Sequence, residues 1–317
     1  MGETSSLAVV GSGPWAQRHM ATISATPDLQ LAGVVSSSLS NQPRTLYGDI
    51  VPNKIWSDID RMLLEKNRPD GVILAIAPHH MLEVCRRLLN EGIPVLAEKP
   101  LTLSARDARW IVAQAKRVNG LIMVNLIHLF SAGYSALKRR LEDIGPLEEL
   151  SSEGGNQGPF REYMSGLWDY GPHELAFALD LVKSSPIDLT ANLLSGNRQR
   201  HVIDVKLGFP NGMRANLKFG NMMAEKRRRL RCKGKVGILE LEDHPAPNLR
   251  LNHKVVPLFG PLPLNNVHSH FVKSIAAGTD SMGTAALASE ISNVIARIES
   301  EISSQSVLKN RSVESIE

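Results

Sequence analysis

The sequence predicts an α/β amino-terminal domain built on a doubly wound parallel sheet, followed by an α+β domain with an open antiparallel sheet. Three observations predict it. Short, near-continuous apolar runs alternate with amphipathic helical patterns over the first 125 residues. A glycine turn follows the first of those runs directly. After residue 145 the pattern changes to closely spaced strands separated by Gly, Asn and Pro turns. The expected domains are residues 1–125 and 126–317.

Each element has a local reason. LAVV (7–10), LQLAGVV (29–35), GVILAIA (71–77), IPVLA (93–97) and LIMV (121–124) are near-continuously apolar, as strands buried on both faces should be. Between them Met81, Val84, Cys85, Leu88 and Leu89 recur at helical spacing. Ser57 with Asp60, and Ser104 with Asp107, have the S-x-x-D form of a capping box. Strands and helices in alternation imply right-handed crossovers and a parallel sheet. Segments 188–195, 201–209, 213–219 and 227–241, with the turns FPNG and KGKVG, read as consecutive antiparallel strands. Two helical patterns follow, 264–277 and 284–302, the second with Leu287, Ile291, Val294, Ile295, Ile298 and Ile302 on one face.

Composition narrows the function. Of 317 residues, 43% are apolar and 21% charged, the balance of a folded globular chain long enough for two domains. The net charge is +4, but aromatic residues make up only 5%, which leaves few stacking platforms for single-stranded nucleic acid. The basic run EKRRRLRCKGK (225–235) is expected to be a strand with Arg227, Arg229 and Arg231 on one face and Arg228 on the other, solvated or facing a subunit; nucleic acid is not an expected partner. Cys85 and Cys232 have no metal-ligand spacing, so no metal is expected, and they read as reduced thiols of a cytoplasmic protein. No apolar stretch reaches the roughly 18 residues that span a bilayer, so no membrane partner is expected.

GSGPWA after the first strand has the form Gly11-x-Gly13-x-x-Ala16. Gly11 permits the tight turn, Gly13 lets the backbone approach a pyrophosphate, and Ala16 lets the helix pack close to the strand. The helix amino terminus, with Pro14 and Trp15 in its first turn, then faces the phosphates. At the end of the second strand, where an acid often holds the ribose hydroxyls, stand Ser36, Ser37 and Ser38, with Arg44 beyond. Hydroxyls and an arginine suit a 2′-phosphate better than a carboxylate does, which favours NADP over NAD; the same serines could instead cap the next helix.

In VLAEKPLTLS (95–104) an apolar strand ends in Glu98-Lys99-Pro100, at the carboxyl edge of the sheet where doubly wound folds bind ligands. Lys99 can place an ammonium beside a substrate oxygen, with Pro100 fixing the turn. GLWDYGPHELAFALDLV carries Asp169 and His173 at i and i+4, a spacing that points both side chains the same way. An imidazole, with an ordinary pKa of about 6.5, suits removal of the proton from an alcohol that loses hydride. A nearby carboxylate can orient it.

The order GxGxxA, AxAP (Ala75 to Pro78), AEKPL (Ala97 to Leu101) and D-x-G-x-H resembles the Gfo/Idh/MocA family of oxidoreductases. FSAGYSALKRRLEDIGPLEEL (130–150), KGKVGILEL (233–241) and the last two helices extend the likeness over essentially the whole chain. The resemblance implies an N-terminal Rossmann domain and NAD(P)-dependent oxidation or reduction of a sugar, cyclitol or related polyol. It puts Ala77, Pro78, Glu98 and Lys99 at the cofactor, Lys99 on the reacting oxygen, His173 as acid/base and Asp169 as its support. Three positions depart from the pattern: Leu82, Leu129 (preceded by His128) and Ala176. The stretch GGNQGPFREYMSG (154–166) is expected to line the pocket, with Arg161 and Tyr163 contacting substrate. The open sheet, expected to carry apolar positions on its outer face, implies a homo-oligomer formed through it. A non-catalytic cofactor-binding regulator and a redox-assisted glycosidase are the competing readings.

Overall fold

The computed structural model describes residues 4–40 and 54–314. In the first half, β1 (Ser5–Val10), α1 (Pro14–Ser24), β2 (Leu29–Val35), α2 (Ser37–Ser40), β3 (Ile55–Trp56), α3 (Ile59–Leu63), β4 (Gly71–Leu74), α4 (Pro78–Asn90), β5 (Val95–Glu98), α5 (Ala105–Arg117) and β6 (Ile122–Asn125) follow one another. The six strands form one parallel sheet in the order β3-β2-β1-β4-β5-β6. The order reverses between β1 and β4, the switch point outside whose strand ends such sheets bind ligands. Leu7, Ala8, Val9, Val72, Ile73, Leu74, Val95, Leu96 and Ala97 are fully buried, so their runs carry no alternation.

The five expected strands are present; β3, a two-residue edge strand, was not expected. Ser104 caps α5 by accepting the Asp107 amide at 3.3 Å, as its spacing predicts. At α3 the cap is Asp58, which accepts the Arg61 amide at 2.9 Å, while Ser57 donates to that carboxylate. The expectation for Ser57 was one residue early, because the longer-reaching carboxylate took the position.

The second half contains α6 (Ala132–Arg139), β7 (Leu147–Gln157), α7 (Gly166–Val182), β8 (Asp188–Gly196), β9 (His201–Gly208), β10 (Arg214–Gly220), β11 (Met222–Gly234), β12 (Ile238–Glu242), β13 (Asn248–Leu251) and β14 (Lys254–Val256). Its sheet runs β14-β13-β12-β11-β7-β10-β9-β8, antiparallel except where β7 lies parallel to β10. Residues 154–157, expected in a pocket-lining insertion, are the end of central strand β7. Helix α7 packs on β7, β9 and β10.

The opposite face of this sheet is charged, which corrects the expectation of an apolar outer surface. Across it Asp204, Lys218, Glu153, Arg229 and Glu242 stand in one row of alternating sign. Arg227, Arg229 and Arg231 pair with Glu153, Glu242 and Glu240, whereas Arg228 turns to the helix side, the alternation the sequence predicts.

Two helices follow, α8 (Pro263–Ala277) and α9 (Thr284–Glu314). Packing divides the chain into two units, Met1–Ile127 with Pro261–Ser289, and His128–Gly260 with Glu290–Glu317. The sequence reading assigned residues 261–289 to the second domain, whereas this division groups them with the first. Long-range contacts bring them there. Phe271 and Ile275 lie so close over Gly71 that an added Cβ would meet each at 2.8 Å, and Thr284 Oγ1 accepts the Val124 amide at 2.9 Å. Among the described residues no helix is long and apolar enough to cross a membrane.

Buried carboxylates hold the second unit together. Asp180 accepts Tyr134 Oη at 2.6 Å and Lys138 Nζ at 2.9 Å, and also bonds Lys183. Burial opposes its charge, but the bonds from Lys183, Tyr134 and Lys138 prevail and hold its carboxyl below the usual range. Asp180→Asn should therefore cost about 1–3 kcal/mol at neutral pH. A lowered carboxyl pKa stabilises above the unfolded value and loses that contribution as pH falls through the folded one. The gap between parent and variant in thermal melts should accordingly narrow below about pH 4; a gap independent of pH would contradict the assignment.

Candidate functional site

In the first unit the glycine turn has the geometry its sequence predicts. Gly11 has φ of 120°, and a Cβ there would lie 2.3 Å from the Ala75 carbonyl oxygen; its amide donates to Val35 O at 3.0 Å. Gly13 is extended and caps α1 without a side-chain bond. The first intrahelical bond runs from the Gln17 amide to Gly13 O, so the amides of Gly13, Trp15 and Ala16 have no acceptor within the helix, and Pro14 has no amide hydrogen. Ala16 is fully buried against the sheet. Beside the turn, Ser38 Oγ lies 3.0 Å from Ser36 Oγ and 3.3 Å from Ser12 Oγ; Ser37 is exposed in α2. Arg44 lies outside the described residues. Ala77 and Pro78 begin α4, which also lacks a side-chain cap.

Glu98 ends β5 and is buried, with its oxygens fully engaged. Its Oε1 accepts His19 Nε2 at 2.9 Å and Asn125 Nδ2 at 2.7 Å, and its Oε2 accepts the Lys99 amide at 3.2 Å. Behind it, His19 Nδ1 lies 2.8 Å from His268 Nε2, and both rings are buried. Burial, and then His19, push His268 down to about 3, so it is neutral. With Glu98 accepting, His19 carries its proton on Nε2. One hydrogen bond joins His19 Nδ1 and His268 Nε2, and His268 Nδ1 is buried with no hydrogen-bond partner among the described residues. His19, Asn125 and His268 were not anticipated. Asn125, a polar residue closing an apolar strand, was the one visible signal.

In the second unit, α7 carries Asp169 and His173, both buried. The Asp169 carboxylate is bonded by the Arg161 guanidinium, from the connection between β7 and α7. That connection is tied down further: Gln199 Nε2 donates to Arg161 O at 2.6 Å, and Tyr170 Oη to Gly158 O at 2.7 Å. Tyr163 on it is half exposed. The His173 ring meets His128 edge-on, with centroids 4.6 Å apart. The next residue, Glu174, is fully buried, bonded by Ser152 and 3.1 Å from Arg228 Nη1; burial pushes its carboxyl up against the opposing effect of Arg228. Gly154 makes room for it, because any Cβ there would overlap the carboxylate.

Known proteins resemble this chain in its first half and in its fold. The model of the oxidoreductase family with an NAD-binding Rossmann fold matches residues 6–126. Over those residues the chain matches the Gfo/Idh/MocA family of oxidoreductases. An inositol 2-dehydrogenase from Arthrobacter sp. strain FB24 is 30% identical over 148 residues, 45% of this chain and 42% of that protein. The chain spans about half the length of the curated relatives it matches. A crystal structure from Magnetospirillum magnetotacticum MS-1 superposes with a TM-score of 0.82 at 26% identity, covering 93% of this chain and 99% of that one. The same fold recurs in a UDP-N-acetylglucosamine 3-dehydrogenase from Acidithiobacillus ferrooxidans, with a TM-score of 0.82, 19% identity, and coverage of 94% and 97%.

The residues of the turn fit the dinucleotide that this family's Rossmann fold binds. Among the described residues, Gly13 has no heavy atom, beyond its chain neighbours and its own helix backbone, within 4 Å of where a Cβ would stand, which leaves room for a pyrophosphate beside the amides of the turn. Its backbone is ordinary for an L residue, so Gly13→Val should fold with an unchanged melting temperature yet bind dinucleotide at least tenfold more weakly. Calorimetric titration checks this; undiminished affinity would place the phosphates elsewhere.

Proposed function

We propose that the protein interconverts an alcohol and a ketone on a sugar, cyclitol or related polyol, using a nicotinamide dinucleotide. The observation that carries this reading lies in the first unit: an uncapped glycine turn and a lysine whose neighbour Glu98 is fixed by three donors, at the carboxyl edge of one sheet. The substrate class follows the relatives, which by name act on inositol and on UDP-N-acetylglucosamine. A bound nicotinamide would supply the acceptor or donor of a hydride at the substrate carbon.

The chain supplies the rest. Lys99 donates to the substrate oxygen and supports negative charge as it develops there. His173 takes the hydroxyl proton in oxidation and returns it in reduction. Asp169, one turn earlier on α7, orients His173, while Arg161 and Tyr163 contact the substrate. Ser36, Ser37 and Ser38 favour NADP, since Ser36, Ser38 and Ser12 cluster beside the turn with no carboxylate among them. The charged outer face of the second sheet, whose alternating rows can complement a second copy, is the proposed route to a homo-oligomer.

A screen of cyclitols, sugars and nucleotide sugars, followed by the absorbance of reduced nicotinamide, should find net turnover. Binding without turnover would indicate a regulator, and turnover without net absorbance change a redox-assisted glycosidase. Lys99→Ala should lower kcat by about 10²-fold or more while dinucleotide affinity holds. Unchanged kcat removes Lys99 from the chemistry. His173→Ala should abolish the neutral ionisation in the pH profile of kcat/KM; its persistence with full activity would exclude His173 as the base.

A further inference from the structure

The proposed chemistry uses one of two imidazoles that lie in contact. His128, in the short turn Ile127–Phe130 that leads toward α6, meets His173 with centroids 4.6 Å apart and planes at 78°. On its other side, Asp243 Oδ2 lies 3.7 Å from His128 Nδ1, just after β12. The side chains of His128 and Asp243 are 24% and 18% exposed, so water screens them only in part. A second cation in such a pair would stand beside the first. The two rings therefore take up protons in separate steps, and neighbouring charges decide which ring is first.

We infer that the first proton goes to His128, and that His128, held by Asp243, is a positioning residue that keeps His173 neutral and able to accept a proton near neutral pH. This rests on the proposed acid/base role of His173. The charges described around the pair within the second unit favour this order. On α7, Asp169 precedes His173 by one turn, but the Arg161 guanidinium from the β7–α7 connection offsets its carboxylate. Glu174 points to the sheet, where Arg228 of β11 and Ser152 of β7 meet it. Phe177, 6.3 Å from His128, brings no charge. Asp243, from the β12–β13 connection, faces His128, so the carboxylate that favours a cation favours it there. A substrate hydroxyl can pass its proton only to an unprotonated His173, and a cation on His128 opposes early protonation of that ring.

The test is an NMR titration of the imidazole Cε1 resonances in the full chain, assigned with His173→Gln. In His128→Gln the His173 midpoint should rise by about one pH unit. In Asp243→Asn the His128 midpoint should fall and the His173 midpoint rise. His128→Lys, which restores a fixed cation, should return the His173 midpoint toward the parent value, and it serves as the informative variant if His128→Gln does not fold. An unchanged or lowered His173 midpoint in His128→Gln, or no difference between the Gln and Lys variants, overturns the inference. The titration needs no substrate, so it separates the two ideas. Midpoints that move as expected in a protein without dinucleotide-dependent turnover would uphold the pair and reject the proposed function. Turnover that depends on His173 with unmoved midpoints would do the reverse.

Discussion

A carboxylate buried at the end of a strand must be met by donors, and that requirement at Glu98 organises the first unit. Three elements answer it: His19 from α1, Asn125 from β6, and the amide of Lys99 itself. His268 of α8 completes the chain through His19, across 249 residues of sequence. The result is a corner in which the backbone before Lys99 has little freedom. Preorganisation of this kind allows a charged group to stabilise a developing alkoxide without rearranging first.

The second unit applies the same rule repeatedly. Asp169 has Arg161, Glu174 has Ser152 and Arg228, and Asp180 has Tyr134 and two lysines. Breaking one partner of such a set costs far more than the set contributes over an apolar alternative, so these groups specify position more than stability. On α7 they have a functional consequence. With Asp169 and Glu174 each met by a partner, the inference drawn above gives His128 and Asp243 a part in the electrostatic setting of His173.

Legibility of this fold in the sequence followed burial. GVILAIA could be read as a strand because no polar residue interrupts it and Gly71–Leu74 are buried, and the turn was visible because Gly11, where only glycine tolerates the geometry, is followed by Gly13. Ile55–Trp56 was too short to leave a pattern, and Leu147–Gln157 was obscured by Gly154 and Gly155, which are there to admit Glu174 and Met223. The outer face of the second sheet was misjudged because local pattern cannot show that Arg227, Arg229 and Arg231 of β11 meet glutamates on the neighbouring strands. The same limit applies to the site. Lys99, Asp169 and His173 stand in recognisable motifs, whereas His19, Asn125, His268 and Asp243 acquire meaning only through partners remote in sequence.

In the proposed function, glycine turn, fixed carboxylate and lysine serve to move hydrogen between a carbinol carbon and a nicotinamide ring. Deuterium transfer tests that chemistry most directly: the protein is incubated with oxidised dinucleotide and cyclitols or sugars deuterated at their carbinol carbons, and the nicotinamide is analysed by mass spectrometry. One deuterium should appear on the nicotinamide ring, on a single face. Tight dinucleotide binding with no label transferred from any of these alcohols would contradict it.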